Sequence, residues 1–286
     1  MTVDYIALWN EQHEAANRQK QIGNDGRSFW EDPENIRRFV DRLMGSDRSR
    51  IEGQLAAMRI PPGSTVLDIG AGPGTLAVPL ALAGCDVTVV EPSAGMQAAM
   101  KEYREISGAP EIREIRSRWE DADPEEVGVH DVVVASFSLA MDDIGPSLKK
   151  IDSAAKRSVH LFWFLTLPTW TGVNFSLWPE LHGSEFAAEP TADLLWNCLC
   201  QLGIYPDVTV EHVEKGQRYP TEEEAVADYC RRLYVRNDHQ RAIVASFVRE
   251  RIVRTGAGFG IPGVSKTAHI RWEKFPGAGE RSGHVL

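Results

Sequence analysis

Apolar positions along the chain repeat with two different periods, and the change between them divides the sequence. Up to about residue 60 the period is helical. Asp32-Pro33-Glu34 reads as a helix start, with an Asx cap, proline in the first turn and an acid near the positive end of the helix dipole. Ile36, Phe39, Val40 and Leu43 then follow at i, i+3, i+4 and i+7, which makes one apolar stripe. Ahead of it lies a stretch rich in Asn, Gln and Gly that carries Trp9, Phe29 and Trp30. Pro61-Pro62-Gly63 breaks the region off.

From Thr65 short apolar runs alternate with amphipathic stretches. Strands are expected at Thr65–Ile69, Asp86–Val90, Ile112–Ile115, Asp131–Ala135 and Ser158–Leu165. Helices are expected at Thr75–Ala83, at Ala94–Ile106 capped by Ser93, and at Ile144–Ala155. The nearly unbroken valines of Asp131–Ala135 suit a strand buried on both faces of a parallel sheet. Strand-helix alternation of this kind predicts an α/β fold with an open, doubly wound sheet. Residues 166–190 hold three prolines, two glycines and two tryptophans and read as an aromatic loop. Beyond them the pattern predicts a helix over Thr191–Leu202, a strand over Val208–Val213 and a helix capped by Thr221 with Glu222–Glu224 in its first turn. A second helix runs from about Gln240 to Arg254, and a last strand covers Thr267–Phe275. The expected organisation is a helical lid over 1–60 and an α/β domain over 61–286, with the aromatic loop at 166–190 and a helical insertion at 221–254.

Composition narrows the function classes. The net charge of the 286 residues is −10, which argues against a general nucleic-acid binder. Hydrophobic residues make up 43% and charged residues 25%, the balance of a globular chain. The longest apolar runs, Val132–Phe137 and Leu161–Leu167, fall far short of the ~20 residues that cross a bilayer. Met1–Asn10 has neither a basic start nor an apolar core, so no secretory signal is read there. The four cysteines form no CxxC pair and no zinc spacing, and read as small buried groups of a reducing compartment. The expectation is a cytoplasmic protein, monomer or homodimer, that holds no metal.

Candidate chemistry is concentrated in Val66-Leu67-Asp68-Ile69-Gly70-Ala71-Gly72-Pro73-Gly74-Thr75. Glycines at 70, 72 and 74 let the backbone turn sharply and approach a ligand. A Gly-rich turn alone is common in βα connections that bind nothing. The spacing is GxGxG, not the GxGxxG of nicotinamide or flavin sites. Asp68, at the strand end, suits a cation and repels a pyrophosphate. Glu91, at the end of the second strand, stands where an acid bonds both ribose hydroxyls of an adenosine. Together these features describe an adenosine ligand with a positively charged, phosphate-free tail, and S-adenosylmethionine fits.

These motifs, with Val87–Pro92 and Asp131–Ser138, resemble the class I S-adenosylmethionine-dependent methyltransferases, in the small-molecule branch of ubiquinone- and menaquinone-type methylases. The resemblance covers about residues 60–165. It implies a seven-stranded, mostly parallel sheet of order 3-2-1-4-5-7-6. It implies that Asp68, Gly70, Ala71, Gly72 and Gly74 hold the methionine end, that Glu91 takes the ribose, and that Pro92, Ser93 and Met96 pack around the adenosine. Trp119 would stack on the adenine, with Glu120 accepting from its exocyclic amine, although Asp is the commoner residue there. Ser136 and Phe137 would lie beside the transferable methyl. Ser136-Phe137-Ser138-Leu139 lacks the Pro-Pro-Tyr/Phe of amide and exocyclic-nitrogen methylases, which disfavours those acceptors.

A small-molecule methyl acceptor is the implied partner, with an RNA acceptor as the alternative and a non-catalytic cofactor sensor as a third reading. His182 is the candidate general base, against a reading as a hydrogen-bonding loop histidine. Asp142 could face the acceptor, or with Asp143 cap the next helix. Trp170, Phe175 and Trp178 could line an apolar pocket, or pack in a core. The arginines of 231–254 could be solvated, or meet an acid of the acceptor.

Overall fold

The computed structural model describes residues 3–21, 32–46, 48–213, 218–256 and 258–274. Phe29, Trp30 and Phe275 lie outside them. Three helices open the chain: α1 (Tyr5–Gln21), α2 (Pro33–Ser46) and α3 (Arg48–Met58). The start of α2 falls where the Asp-Pro-Glu signal puts it, and Asp32 Oδ1 accepts the Glu34 amide at 2.8 Å.

The α/β succession then runs β1 (Thr65–Ile69), α4 (Ala77–Leu82), β2 (Asp86–Val90), α5 (Ala94–Ser107), β3 (Arg113–Ile115), α6 (Pro124–Val127), β4 (His130–Ser136), α7 (Ile144–Ser153) and β5 (Ala155–Phe164). Further along the chain come α8 (Thr169–His182), α9 (Ala192–Gln201), β6 (Asp207–Val213), β7 (Arg218–Tyr219), α10 (Glu222–Arg232), α11 (Asp238–Arg251), β8 (Val253–Thr255), β9 (Gly258–Gly260) and β10 (Ser265–Glu273). Seven strands form one sheet of order β3-β2-β1-β4-β5-β10-β6, the expected order with β10 as the seventh strand. β1 runs parallel to β2 and β4, and β4 runs parallel to β5. Among the described residues no helix is long and apolar enough to cross a membrane.

Two compact units divide the chain. One comprises Ser28–Phe162, Leu199–Val208 and Ile270–Leu286, the other Met1–Arg27, Trp163–Cys198 and Thr209–His269. The N-terminal helices are thus shared out, α1 to the second unit, α2 and α3 to the first.

The core of the first unit gathers Val66, Val87, Val89, Val132 and Val134 from the strands with Leu80, Met100, Ile51 and Met58 from the helices. Leu67, Ile69, Val133 and Ala135 alternate with these and are equally buried, so the central strands are covered on both faces, as their continuous apolar runs require. Ser93 caps α5 through the Met96 amide, and Gly108 ends it in the left-handed conformation.

The second unit corrects one expectation. Residues 166–190 are not a loop throughout, because α8 occupies their middle. Val173, Leu177, Trp178 and Leu181 follow a helical period and pack on Ala225, Val226, Tyr229, Val244 and Val248. Proline inside the helix, at Pro179, and glycines on either side obscured that period; burial of the apolar face outweighs the lost backbone bond. Trp178 and Tyr229 are therefore core residues, while Phe175 is exposed. Two of the arginines have an acid within the chain: Arg231, itself exposed, and Arg232 pair with the buried Asp228, at 2.9 and 2.8 Å, and Tyr219 donates to the same carboxylate at 2.8 Å. The small sheet β7-β9-β8 in this region was not foreseen, because its strands have only two or three residues.

Candidate cofactor site

The site is built on the carboxyl ends of β1, β2 and β4. After Ile69 the chain turns through Gly70, Gly72 and Gly74, all at positive φ. Gly70 has a second reason to be glycine, since a Cβ there would overlap the Ser138 side chain. At Gly74 a Cβ would lie 2.6 Å from Met100 Cγ. Gly72 differs: its Cβ position has nothing within 4 Å. Its left-handed backbone, φ 55°, is what calls for glycine there, and the space beside it is open.

The three strand ends are tied together. Gly70 N–H donates to the Val90 carbonyl at 2.7 Å, and Ser138 Oγ donates to the Ile69 carbonyl at 2.5 Å. Phe137 turns the chain after β4 in a left-handed conformation, φ 55°, unusual for a side-chain-bearing residue, and its N–H donates to the Phe162 carbonyl at 2.9 Å.

Two carboxylates face this turn. Glu91 Oε2 accepts the Gly72 amide and Oε1 accepts the Ser93 amide, both at 2.9 Å. Each oxygen has one donor among the described residues, which leaves acceptor capacity on both for ligand hydroxyls. Burial pushes the Glu91 carboxyl above its ordinary range, and the two amides oppose the shift. Asp68 is 2% exposed; burial, reinforced by the Glu91 charge, raises its carboxyl to about 7, against the Ala77 amide that favours the anion. A buried acid held against its own ionisation is a site that a cation would stabilise. The open Gly72 position, the spare acceptors of Glu91 and the cation demand of Asp68 together fit the sulfonium and ammonium of an adenosyl amino acid.

Of the other expected residues, Pro92, Ser93 and Met96 follow directly, with Met96 3% exposed and its amide on Ser93 Oγ. Trp119 is buried and its indole N–H donates to the Ser147 carbonyl of α7 at 3.2 Å. The Lys150 ammonium lies 4.5 Å from its ring centroid and donates to the carbonyls of Trp119, at 2.6 Å, and of Ala122. Glu120 Oε1 accepts from Arg118 at 2.8 Å and from the Asp142 amide at 3.1 Å. Asp142 itself holds Arg118 at 2.6 Å, and Asp143 caps α7 through the Gly145 amide. His182 belongs to the other unit, where its Nε2 pairs with the Leu233 carbonyl at 2.8 Å and its ring lies 4.2 Å from that of Trp178.

The sequence reading passed over α3. Gln54, 2% exposed, donates to Ser136 Oγ at 3.0 Å, and the Arg50 guanidinium lies 5.1 Å from the Phe137 ring centroid. The available signal was a polar residue, Gln54, at i+3 from Ile51 and four before Met58, on the apolar face of the helix. Among the described residues no group of three or more His, Cys, Asp or Glu is placed to hold a metal ion.

Residues 66–157 match the model of a family described as a methyltransferase domain. The sheet order around the matched stretch is that of the α/β fold of S-adenosylmethionine-dependent methyltransferases. An uncharacterized protein of Haemophilus influenzae is 32% identical over 179 residues, 63% of this chain and 65% of that protein. Ribosomal RNA small subunit methyltransferase G of Mycolicibacterium vanbaalenii is 36% identical over 110 residues, 37% of this chain and 47% of that protein. The chain thus spans from 47% to 65% of the length of these curated relatives. Among solved structures, the YcgJ protein from Bacillus subtilis shares the fold with a TM-score of 0.55, at 13% identity, over 80% of this chain and 100% of that one.

Proposed function

We propose that this protein transfers a methyl group from S-adenosylmethionine to a small-molecule acceptor. The observation that carries the reading is the pair of buried carboxylates, Asp68 and Glu91, close enough to repel one another, with Glu91 bonded to the amide of the open Gly72 position. When bound, the cofactor supplies a methyl on a sulfonium, already a strong electrophile. The chain's part is to hold that end of the cofactor and keep the acceptor aligned. Asp68 and the Gly70–Gly74 loop take the methionine end, and Glu91 takes the ribose hydroxyls. Ser93 and Met96 border the adenosine. Glu120 borders the adenine end, and Trp119, expected to stack on the base, instead backs that segment from within the core, with its indole N–H on Ser147 and Lys150 over its ring. Ser136 and Phe137 border the reacting centre, and α3 meets them through Gln54 and Arg50. Alignment and exclusion of water lower a barrier of this kind by as much as ~7–11 kcal/mol. His182 and Asp142 are both engaged, one with a backbone carbonyl and one with Arg118, and an acceptor that offers a lone pair needs a base from neither.

The likeness to a ribosomal RNA methyltransferase over 110 residues supports RNA as a second reading, which the net charge of −10 opposes. Incubating the protein with methyl-labelled cofactor and either a small-metabolite extract or total RNA tests both. Label in the metabolite fraction is the expected result. Label confined to RNA overturns the small-molecule reading. Cofactor binding without product release from either pool would make the chain a sensor.

A further inference from the structure

The two edges of the seven-stranded sheet are built differently. An edge strand presents backbone N–H and C=O groups without a neighbour, and soluble proteins blunt it with a short strand, Lys, Pro or a bulge. β3, at one edge, has three residues, two of them the exposed Arg113 and Glu114. β6, at the other, has seven, Asp207-Val208-Thr209-Val210-Glu211-His212-Val213, with no Lys, Arg or Pro. Among the described residues no strand pairs on its outer side. Side chains alternate between faces, so Val208, Val210 and His212 share one face and Asp207, Thr209, Glu211 and Val213 the other. Val208 and Val210 are each 43% exposed, and Asp207, Thr209 and His212 are exposed as well.

The order of residues in β6 selects what can pair there. A second copy, added antiparallel about a two-fold axis normal to the sheet, brings one residue of the strand opposite itself. With the axis at Thr209, Asp207 would oppose the partner's Glu211. With the axis at Glu211, two glutamates would meet. Like charges directly opposite destabilise a strand pair. With the axis at Val210 all seven residues pair and no like charges are opposed. Val208 then faces the partner's His212, Thr209 offers its hydroxyl to the partner's Glu211, and Asp207, beside Arg271 of β10 at 3.5 Å, faces the partner's Val213.

We propose that β6 is the interface of a symmetric homodimer, in which two copies pair antiparallel about Val210 and continue one sheet into the other. The exposed valines of both copies form one strip across the axis. The contact closes on itself, because it uses up β6 and leaves only the short, charged β3 at each end.

Sedimentation of the full chain over a range of concentrations reads the assembly, and a dimer is expected. Val210→Lys sets two ammonium groups face to face and should weaken the dimer at least about tenfold, with an unchanged circular dichroism spectrum. Single cysteines fix the register, scored above the background of the native cysteines in the unmodified chain. A thiol crosslinker of about 8 Å span should join Val210→Cys, whose opposed residues lie about 5 Å apart, and fail with Val208→Cys, whose copies lie about 13 Å apart or more. A chain that stays monomeric overturns the proposal, whether the edge is then taken by this chain's own C-terminal segment or by a different protein. A dimer that tolerates Val210→Lys, or that crosslinks through Val208→Cys and not Val210→Cys, overturns it as well.

Discussion

Glu91 accepts the Gly72 amide at 2.9 Å, which joins the end of β2 to the middle of the glycine loop. The carboxylate thus has two tasks, shaping the loop and meeting the ribose. Glu91→Ala removes both, and S-adenosylhomocysteine affinity should fall by a factor of about 10–100 or more, from charge-assisted bonds of ~1.5–3 kcal/mol each. Glu91→Gln, with a single acceptor oxygen, should fall between. Calorimetry on folded variants checks this, and equal affinities would remove Glu91 from the site.

Asp68 sets a pH dependence of definite sign. Its carboxyl stands at about 7 in the folded chain against an ordinary 3.8. Between those values the ligand-free fold keeps a proton that the unfolded chain has released, so stability declines as pH rises across the window and levels off above it. A ligand ammonium favours the anion, so affinity runs the other way and increases with pH up to about 7. Titration of S-adenosylhomocysteine at about pH 5.5 and about pH 8 should show at least a severalfold gain at the higher pH. Asp68→Asn should bind weakly and flatten the profile. A wild-type profile as flat as the variant's would contradict the assignment.

The glycines should separate by function. Gly74→Ala meets Met100 and should cost about 1–3 kcal/mol of stability through overpacking, beyond its backbone strain. Gly72→Ala meets no protein atom and should cost only the ~1 kcal/mol of a left-handed alanine. Its cofactor affinity should nevertheless collapse, because the methyl enters the ligand's space. Thermal melts alongside binding curves would reveal the split. A Gly72→Ala protein with intact binding would show that the ligand lies elsewhere.

Lys150 holds the segment after β3 by its carbonyls. Lys150→Met keeps the stem over Trp119 but frees those carbonyls, and should destabilise the chain by ~1–3 kcal/mol. Amide exchange over 118–123 should accelerate, while exchange in β1 stays slow. Unaltered exchange in that segment would show that Ser147 alone secures it.

In the second unit Asp228 balances two arginines and a tyrosine. Asp228→Ala strands partly buried charge and should cost about 3 kcal/mol, read as a lower midpoint of denaturant unfolding. A loss under about 0.5 kcal/mol would place the network among ordinary surface pairs.

The strands of the α/β sheet were legible because each is a short apolar run cut off by glycine, proline or an Asx cap. β1 and β2 fall on the expected residues, and Ser93 and Thr221 cap the expected helices. The acidic ends at Asp68 and Glu91 were legible for the same reason, since they terminate strands. α8 was hidden because its period is set by what it packs on in three dimensions, and Pro179 contradicts it locally. Gln54 was hidden because a polar residue on a helix reads as surface until a strand end, here Ser136, is brought against it. Trp119 and the arginines at 231 and 232 show the reverse: residue types that suggest ligand binding are engaged by Ser147, Lys150 and Asp228 of the chain itself.

The bonds from Gly70 to Val90 and from Ser138 to Ile69 have a kinetic consequence. The groups that would meet the ligand come from three strands, yet these bonds make their ends one rigid piece before any ligand arrives. The ordering entropy is spent during folding, not at encounter. Association should therefore need no rearrangement of the loop and proceed at the pace of diffusive capture. Substitutions in this region should then show themselves in how long the complex lives, not in how fast it forms.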